Sequence, residues 1–201
     1  STERCIDMVN DLLSVSRLES GHMDFKFEPV ELPILVSEVV EEMGSKITEK
    51  ALSVRVIHET VPQVIADHDK VRQVIFNLLG NAIKYTDNGG SIEVSFLSDG
   101  VMLETHLRDT GRGISADDLG RLFTKFGRLD HTYIATATAG GTGLGLYISK
   151  DLIGHMSGRI WASSLGVGKG STFSFALPIA TKSSIDKASQ YVKLPPSQVD
   201  M

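Results

Sequence analysis

The chain has 201 residues, a net charge of −5 and 41% apolar residues, which suits one substantial domain with appendages or two small ones, around a real core. An acidic balance without a dense Lys/Arg cluster argues against nucleic acid as the main partner. No apolar run nears the ~20 residues of a membrane span, no secretory signal opens the chain, and the single cysteine, Cys5, excludes an internal disulfide or a Cys-based metal cluster. Together these point to a cytoplasmic polypeptide, whose parent protein is free to be membrane-anchored.

Residues 1–20 read as one helix, with Ile6, Val9, Leu13 and Leu18 in an apolar stripe, Met8 and Leu12 beside it, and Gly21 as a stop. Such a stripe wants a partner helix. Met23–Glu28 alternates as a strand does. Pro33 suits the first turn of a helix running to about Lys50, with Leu35, Val36, Val39, Val40 and Met43 inward. Leu52–Ile57 and Gln63–Ala66 read as strands. Over 67–87 the spacing predicts a helix whose core face is Val71, Val74, Ile75, Leu78, Leu79, Ala82 and Ile83. On a neighbouring face Asn77, Asn81, Lys84 and Tyr85 stand at i, i+4, i+7 and i+8. By spacing alone that polar row is either a solvated face or the wall of a ligand site.

Ser91–Leu97 and Val101–Arg108 form a predicted hairpin across the turn signal Asp99-Gly100. A tight loop, D-T-G-R-G, occupies 109–113, and a short helix is expected around Ala116–Leu122. Residues 127–142, rich in Thr, Ala and Gly without a core pattern, read as a mobile loop. A helix from about Leu144 to His155 and strands at Arg159–Ser163 and Thr172–Leu177 complete the domain. After Pro178 the chain is polar, contains Pro195-Pro196 and reads as a linker.

Three strings carry possible chemistry. Asp109, where a strand ends, suits acceptance of a hydrogen bond from an exocyclic amine such as adenine N6. Glycines beside it allow a ligand close to the backbone. An ordinary Asp-Gly turn fits the same five residues. The run G-G-T-G-L-G-L at 140–146 enters a helix, where backbone N–H groups favour phosphate, though a hinge also fits. It is not a P-loop, since no Gly-Lys-Ser/Thr follows, nor a dinucleotide fingerprint, since its spacing differs. Phe123 and Phe126 read as packing under the loop. Arg128 beside them is either a surface cation or a group able to swing onto a phosphate.

The order of the pieces is the specific signal. D-x-D-x-V-x-Q-V-x-x-N-L-L-x-N-A-I-K-Y-T resembles the N box of sensor histidine kinases. D-T-G-R-G-I resembles their first glycine box, F-T-K-F-G-R their F box, G-T-G-L-G-L their second glycine box, and G-K-G-S-T-F-S-F-A-L-P their ending. The resemblance covers residues 1 to about 178, and lies within the superfamily that also holds gyrase, heat-shock chaperone and mismatch-repair ATPases. It implies an α+β fold: a two-layer α/β sandwich with a mixed, mostly antiparallel sheet backed by helices, preceded by one long helix. Residues 1–21 would be the second helix of a dimerisation hairpin, 22–180 the ATP-binding domain and 181–201 a polar tail.

The resemblance also implies roles. Asn81 would ligate Mg²⁺, with Asn77 one turn earlier near the phosphates. Lys84 would hold a phosphate, Tyr85 would stack against adenine, and Asp109 would bind its amine. Gly111, Gly113 and Ile114 would shape that pocket, with Phe126 close by. Arg128 would reach the γ-phosphate, and Thr142, Gly143, Leu144 and Gly145 would wrap the phosphates. Asn77, Lys84 and Arg128 would then be the catalytic residues of γ-phosphoryl transfer from Mg–ATP to a histidine. Hydrolytic members carry Glu where this chain has Asn77, and an amide cannot serve as that base. A nucleotide-sensing module without transferase activity, or an ATPase, are the competing readings. Ser157 departs from the pattern, standing where Gly is usual. None of His22, His58, His68, His106, His131 and His155 has the context of an acceptor, so the acceptor helix is expected before residue 1. A homodimer through the hairpin and a response-regulator receiver domain are the implied partners.

Overall fold

In the computed structural model the described residues are Val9, 12–17, 20–21, 23–57, 59–125 and 143–192. Strands β2 (Ser53–Val56), β4 (Ser91–Ser98), β5 (Met102–Asp109), β6 (Arg159–Ser163) and β7 (Ser171–Pro178) form one sheet. Its order is β2-β4-β5-β7-β6, with β2 parallel to β4 and every other pair antiparallel. A smaller antiparallel sheet pairs β1 (Phe27–Val30) with β3 (Val64–Asp67). Helices α1 (Leu32–Glu42), α3 (His68–Tyr85) and α5 (Gly145–His155) supply the other side of one core, so the expected mixed sheet backed by helices is what forms. Strand alternation sends Ile92, Val94, Leu103, Leu107, Phe173 and Phe175 into that core.

Helix α3 carries the polar row. All seven residues expected on its core face are buried. Asp67 caps its start: Oδ1 accepts from the Lys70 N–H at 3.0 Å, while Oδ2 accepts from the Lys26 N–H at 2.8 Å. One carboxylate thus closes the helix end and pins the entering chain. Asp69 in the first turn and Lys84 in the last match the helix dipole. In the β4–β5 turn, Asp99 Oδ1 accepts from the N–H groups of Val101 and Met102 at 2.8 and 2.7 Å, which holds its carboxyl below the ordinary value.

Several boundaries move. The first strand starts at Phe27 rather than Met23, because β3 offers pairing only from Phe27↔Asp67 to Val30↔Val64. The helix expected to reach Lys50 divides at Met43 into α1 and α2 (Gly44–Glu49); Gly44 is a poor interior residue. The stretch expected as a linker is helical over Lys182–Val192, here α6. Thr181 and Ser184 bond each other reciprocally at its start, Ser184 N–H to Thr181 Oγ1 and Thr181 N–H to Ser184 Oγ. At the N-terminus 12–17 is helical, but Val15 is buried while Val9, Leu12 and Leu13 are exposed. The loop expected over 127–142 lies outside the described residues.

Ser157, which follows α5, has φ +58. Its N–H donates to Gly154 O and that of Gly158 donates to Ile153 O, as in a helix stop that ordinarily uses Gly. A left-handed conformation costs a side-chain-bearing residue about 1 kcal/mol. Ser157→Gly is therefore expected to stabilise the fold by roughly that amount, less the added freedom of the unfolded chain. Denaturant midpoints of the two proteins check this; a lower midpoint for the variant refutes it.

Candidate functional site

The site lies where the C-terminal half of α3, the end of β5 and the start of α5 meet. Asp109 is the last residue of β5, 3% exposed, and registers with Ser171 of β7 and Ile92 of β4. Its Oδ1 accepts from the Gly111 N–H at 2.8 Å and more weakly from the Ser171 N–H at 3.3 Å, while Oδ2 accepts from the Ser171 hydroxyl. A carboxylate has about four acceptor positions. Among the described residues three are filled, so the one left lies on Oδ2. Asp109 is therefore not a solvated turn residue: it is a buried carboxylate fixed in orientation by its neighbours, with capacity for one further donor.

The loop after Asp109 is held by a second glycine-rich turn. The N–H groups of Gly168 and Gly170 donate to Arg112 O and Gly111 O, at 2.6 and 3.0 Å. Gly113, at φ +68, backs onto the carbonyl of Gly166. The Ile114 N–H donates to Ser164 Oγ at 3.0 Å, and its side chain joins the core. Ser171 and the turn 164–170 were not singled out as site residues in the sequence. Glycines at every second position over 166–170 are the signal that marks the turn, whereas the register that sets Ser171 opposite Asp109 comes from the fold.

On α3, Asn77 and Asn81 are half-buried. Asn77 Nδ2 donates to Ser149 Oγ at 2.9 Å, which fixes the amide against α5. Gly145 packs directly on it: a Cβ there would lie 2.4 Å from Asn77 Oδ1. Leu144 is fully buried beneath the start of α5, and Gly143 precedes it at φ +74. At the end of α3, Lys84 Nζ lies 4.9 Å and Arg112 Cζ 5.4 Å from the centroid of the Tyr85 ring. Burial pushes the Tyr85 phenol above its ordinary value, and the Arg112 cation opposes that. The Arg112 N–H donates to Tyr85 O at 3.2 Å, joining helix end to Asp loop.

The fold thus brings together Asn77, Gly145 and Ser149 at one end, and Lys84, Tyr85, Asp109, Gly111 and Arg112 at the other, with Asn81 between them on α3. Phe126, Arg128 and Thr142 lie outside the described residues, as does the loop under which Phe123 was expected to pack; Phe123 itself packs against the core. Of the histidines, His68, His106 and His155 have described surroundings, and each faces an acidic side chain: Asp69 at 3.2 Å, Glu104 at 3.3 Å and Asp151 at 3.2 Å. Among the described residues no helix is long and apolar enough to cross a membrane.

The model of a family described as histidine kinase-, DNA gyrase B-, and HSP90-like ATPase matches residues 66–181. The non-motile and phage-resistance protein of Caulobacter vibrioides is 34% identical over 183 residues, 89% of this chain and 21% of that protein. The sensor histidine kinase WalK of Bacillus subtilis is 34% identical over 179 residues, 88% of this chain and 29% of that protein. The crystal structure of full-length ShkA in complex with AMPPNP is similar with TM-score 0.77 and 30% identity, covering 88% of this chain and 36% of that one. The chain spans less than a third of the length of the two curated relatives.

Proposed function

The chain belongs to the family of histidine kinase-, DNA gyrase B- and HSP90-like ATPases, and on that premise we propose that it is the ATP-binding kinase core of a two-component sensor histidine kinase. The γ-phosphoryl group of ATP passes to a histidine nitrogen on a hairpin helix outside this chain. The bond from the γ-phosphorus to the β,γ-bridging oxygen breaks, an N–P bond forms, and ADP leaves. A response-regulator receiver domain is the downstream partner, the full-length protein works as a homodimer through its hairpin, and the kinase core faces the cytoplasm.

The observation that carries this reading is the buried Asp109 carboxylate, held in place by Gly111 and Ser171 with one acceptor position to spare. That is what recognition of an exocyclic amine needs. Asn77 adds the direction of the chemistry. It is an amide committed to Ser149, and an amide does not take a proton from water. Transfer to a protein nucleophile is thereby favoured over hydrolysis, with positioning and charge neutralisation as the protein's contribution.

Mg²⁺ fits the residues present. Asn81 is a half-buried amide one turn beyond Asn77, and no hydrogen bond to its side chain is found among the described residues. Those residues contain no group of three His, Cys, Asp or Glu side chains suited to a metal ion, so one amide with phosphate oxygens and waters would hold it, the pattern Mg²⁺ prefers. When bound it would neutralise charge on the phosphates. Lys84, and Arg128 of the undescribed segment, would add cations to the same end of the nucleotide.

Asn81→Ala tests the assignment. Calorimetric titration with a non-hydrolysable ATP analogue is expected to show Mg²⁺-dependent affinity in the unmodified chain and to lose that dependence in the variant, with binding about tenfold weaker at saturating Mg²⁺. Unchanged Mg²⁺ dependence would remove Asn81 from the site. Adding a separate hairpin that bears the acceptor histidine is expected to yield an acid-labile, base-stable phosphate adduct on that hairpin and none on this chain. Steady phosphate release without the adduct would point instead to an ATPase.

A further inference from the structure

The last four carbonyls of a helix have no helical partner. At the end of α3 every one of them is answered. Ala82 O accepts from the N–H and the hydroxyl of Thr86, at 3.0 and 2.7 Å, and Tyr85 O accepts from the Arg112 N–H. The other two, Ile83 O and Lys84 O, accept from Nζ of Lys50 at 2.8 and 3.1 Å, and the same ammonium donates to Thr86 O just beyond the helix. Three carbonyls thus use the three donors of one ammonium. The cation also sits at the helix end that favours it. Lys50 lies in the turn between α2 and β2, and its backbone reinforces the clasp: Lys50 O accepts from the Gly89 N–H, and the Ser53 N–H donates to Gly90 O, both at 3.0 Å.

We propose that Lys50 is a positioning residue for the nucleotide site, holding the final turn of α3 so that Lys84 and Tyr85 stand where the ligand needs them. The inference rests on the nucleotide reading of the site. Among the described residues Lys50 Nζ bonds only backbone, and its effect runs through the two residues whose carbonyls it holds or borders. Gly111 also packs closely on the end of α3, since a Cβ there would lie 2.3 Å from Tyr85 O. With Lys50 in place the helix end is held by both contacts. Without it, three carbonyls, one of them that of the buried Thr86, lose their donor, and the last turn is free to fray toward or away from the Asp109 loop.

The test uses Lys50→Met, which keeps length and removes the donors, and Lys50→Arg, which keeps a cation with donors. Affinity for a non-hydrolysable ATP analogue with Mg²⁺, amide hydrogen exchange at Thr86 and Gly89, and thermal unfolding are read on each. Lys50→Met is expected to bind about tenfold more weakly while still folded, with both amides exchanging faster. Lys50→Arg is expected to recover a large part of the affinity. A lower melting temperature with unchanged affinity of the folded variant would overturn the proposal. So would equal loss in both variants. If Lys50→Met does not fold, Lys50→Gln, read the same way, decides the question. A chain that fails to bind the analogue before any substitution would refute the site reading itself, an outcome distinct from a binding chain that ignores Lys50.

Discussion

Asp109→Asn is expected to lower the affinity for an ATP analogue on the order of 100-fold, the loss expected when a hydrogen bond to a charged acceptor becomes a clash of donors. The surroundings decide which way the new amide points. Two N–H groups, of Gly111 and Ser171, aim at the Oδ1 position, whereas among the described residues the Oδ2 position is met by a hydroxyl, which can turn to accept. The amide oxygen therefore takes the Oδ1 place and the NH₂ takes the Oδ2 place. That sets a donor where an adenine amine would arrive as a donor. The variant should keep its fold, since the two N–H bonds survive in neutral form. It should also shift its preference toward an inosine nucleotide, whose 6-oxo group accepts. Competition titrations with both nucleotides measure this. Equal affinity of the parent and the variant for the ATP analogue would remove Asp109 from base recognition.

What the sequence disclosed and what it hid follow one physical line. Helix α3 was legible because its core face is local: seven apolar positions at helical spacing, all found where the period put them. The β4–β5 hairpin was legible for the same reason, through Asp99-Gly100. Boundaries set by a distant partner were not. Alternation from Met23 onward suggested strand, yet pairing begins only at Phe27 because β3 is four residues long. Helix α6 escaped notice because a polar stretch before Pro195-Pro196 resembles a linker in composition, while its start depends on the Thr181–Ser184 exchange. Within the site, the glycine strings and Asp109 announce themselves as strings. Ser171 meets Asp109 across 62 residues and Lys50 meets Ile83 across 33. A side chain recruited at that range leaves no period or spacing in a single sequence.

Gly145→Ala separates stability from binding. Inside a helix Ala is favoured over Gly by about 1 kcal/mol, and Gly145 is the first residue of α5. Against that, the new Cβ would fall 2.4 Å from Asn77 Oδ1 and 2.9 Å from its Cγ, so something must move. If the Asn77 amide swings away, Ser149, which is 2% exposed, loses the partner of its hydroxyl, a penalty of about 1–3 kcal/mol. If instead α5 shifts, its first turn withdraws from α3. Propensity and clash nearly offset each other in the melting temperature, which is expected to change little. In either response Asn77 and the start of α5 no longer present one surface, so nucleotide affinity is expected to fall by at least about tenfold. Gly154→Ala on the same helix is the control, since a Cβ there meets nothing within 4 Å; it is expected to gain the propensity term alone and to bind as before. Loss of affinity in both variants would mean that α5 acts through its overall rigidity. Loss confined to Gly145→Ala would assign the effect to the contact with Asn77, whose amide is held between Gly145 and Ser149.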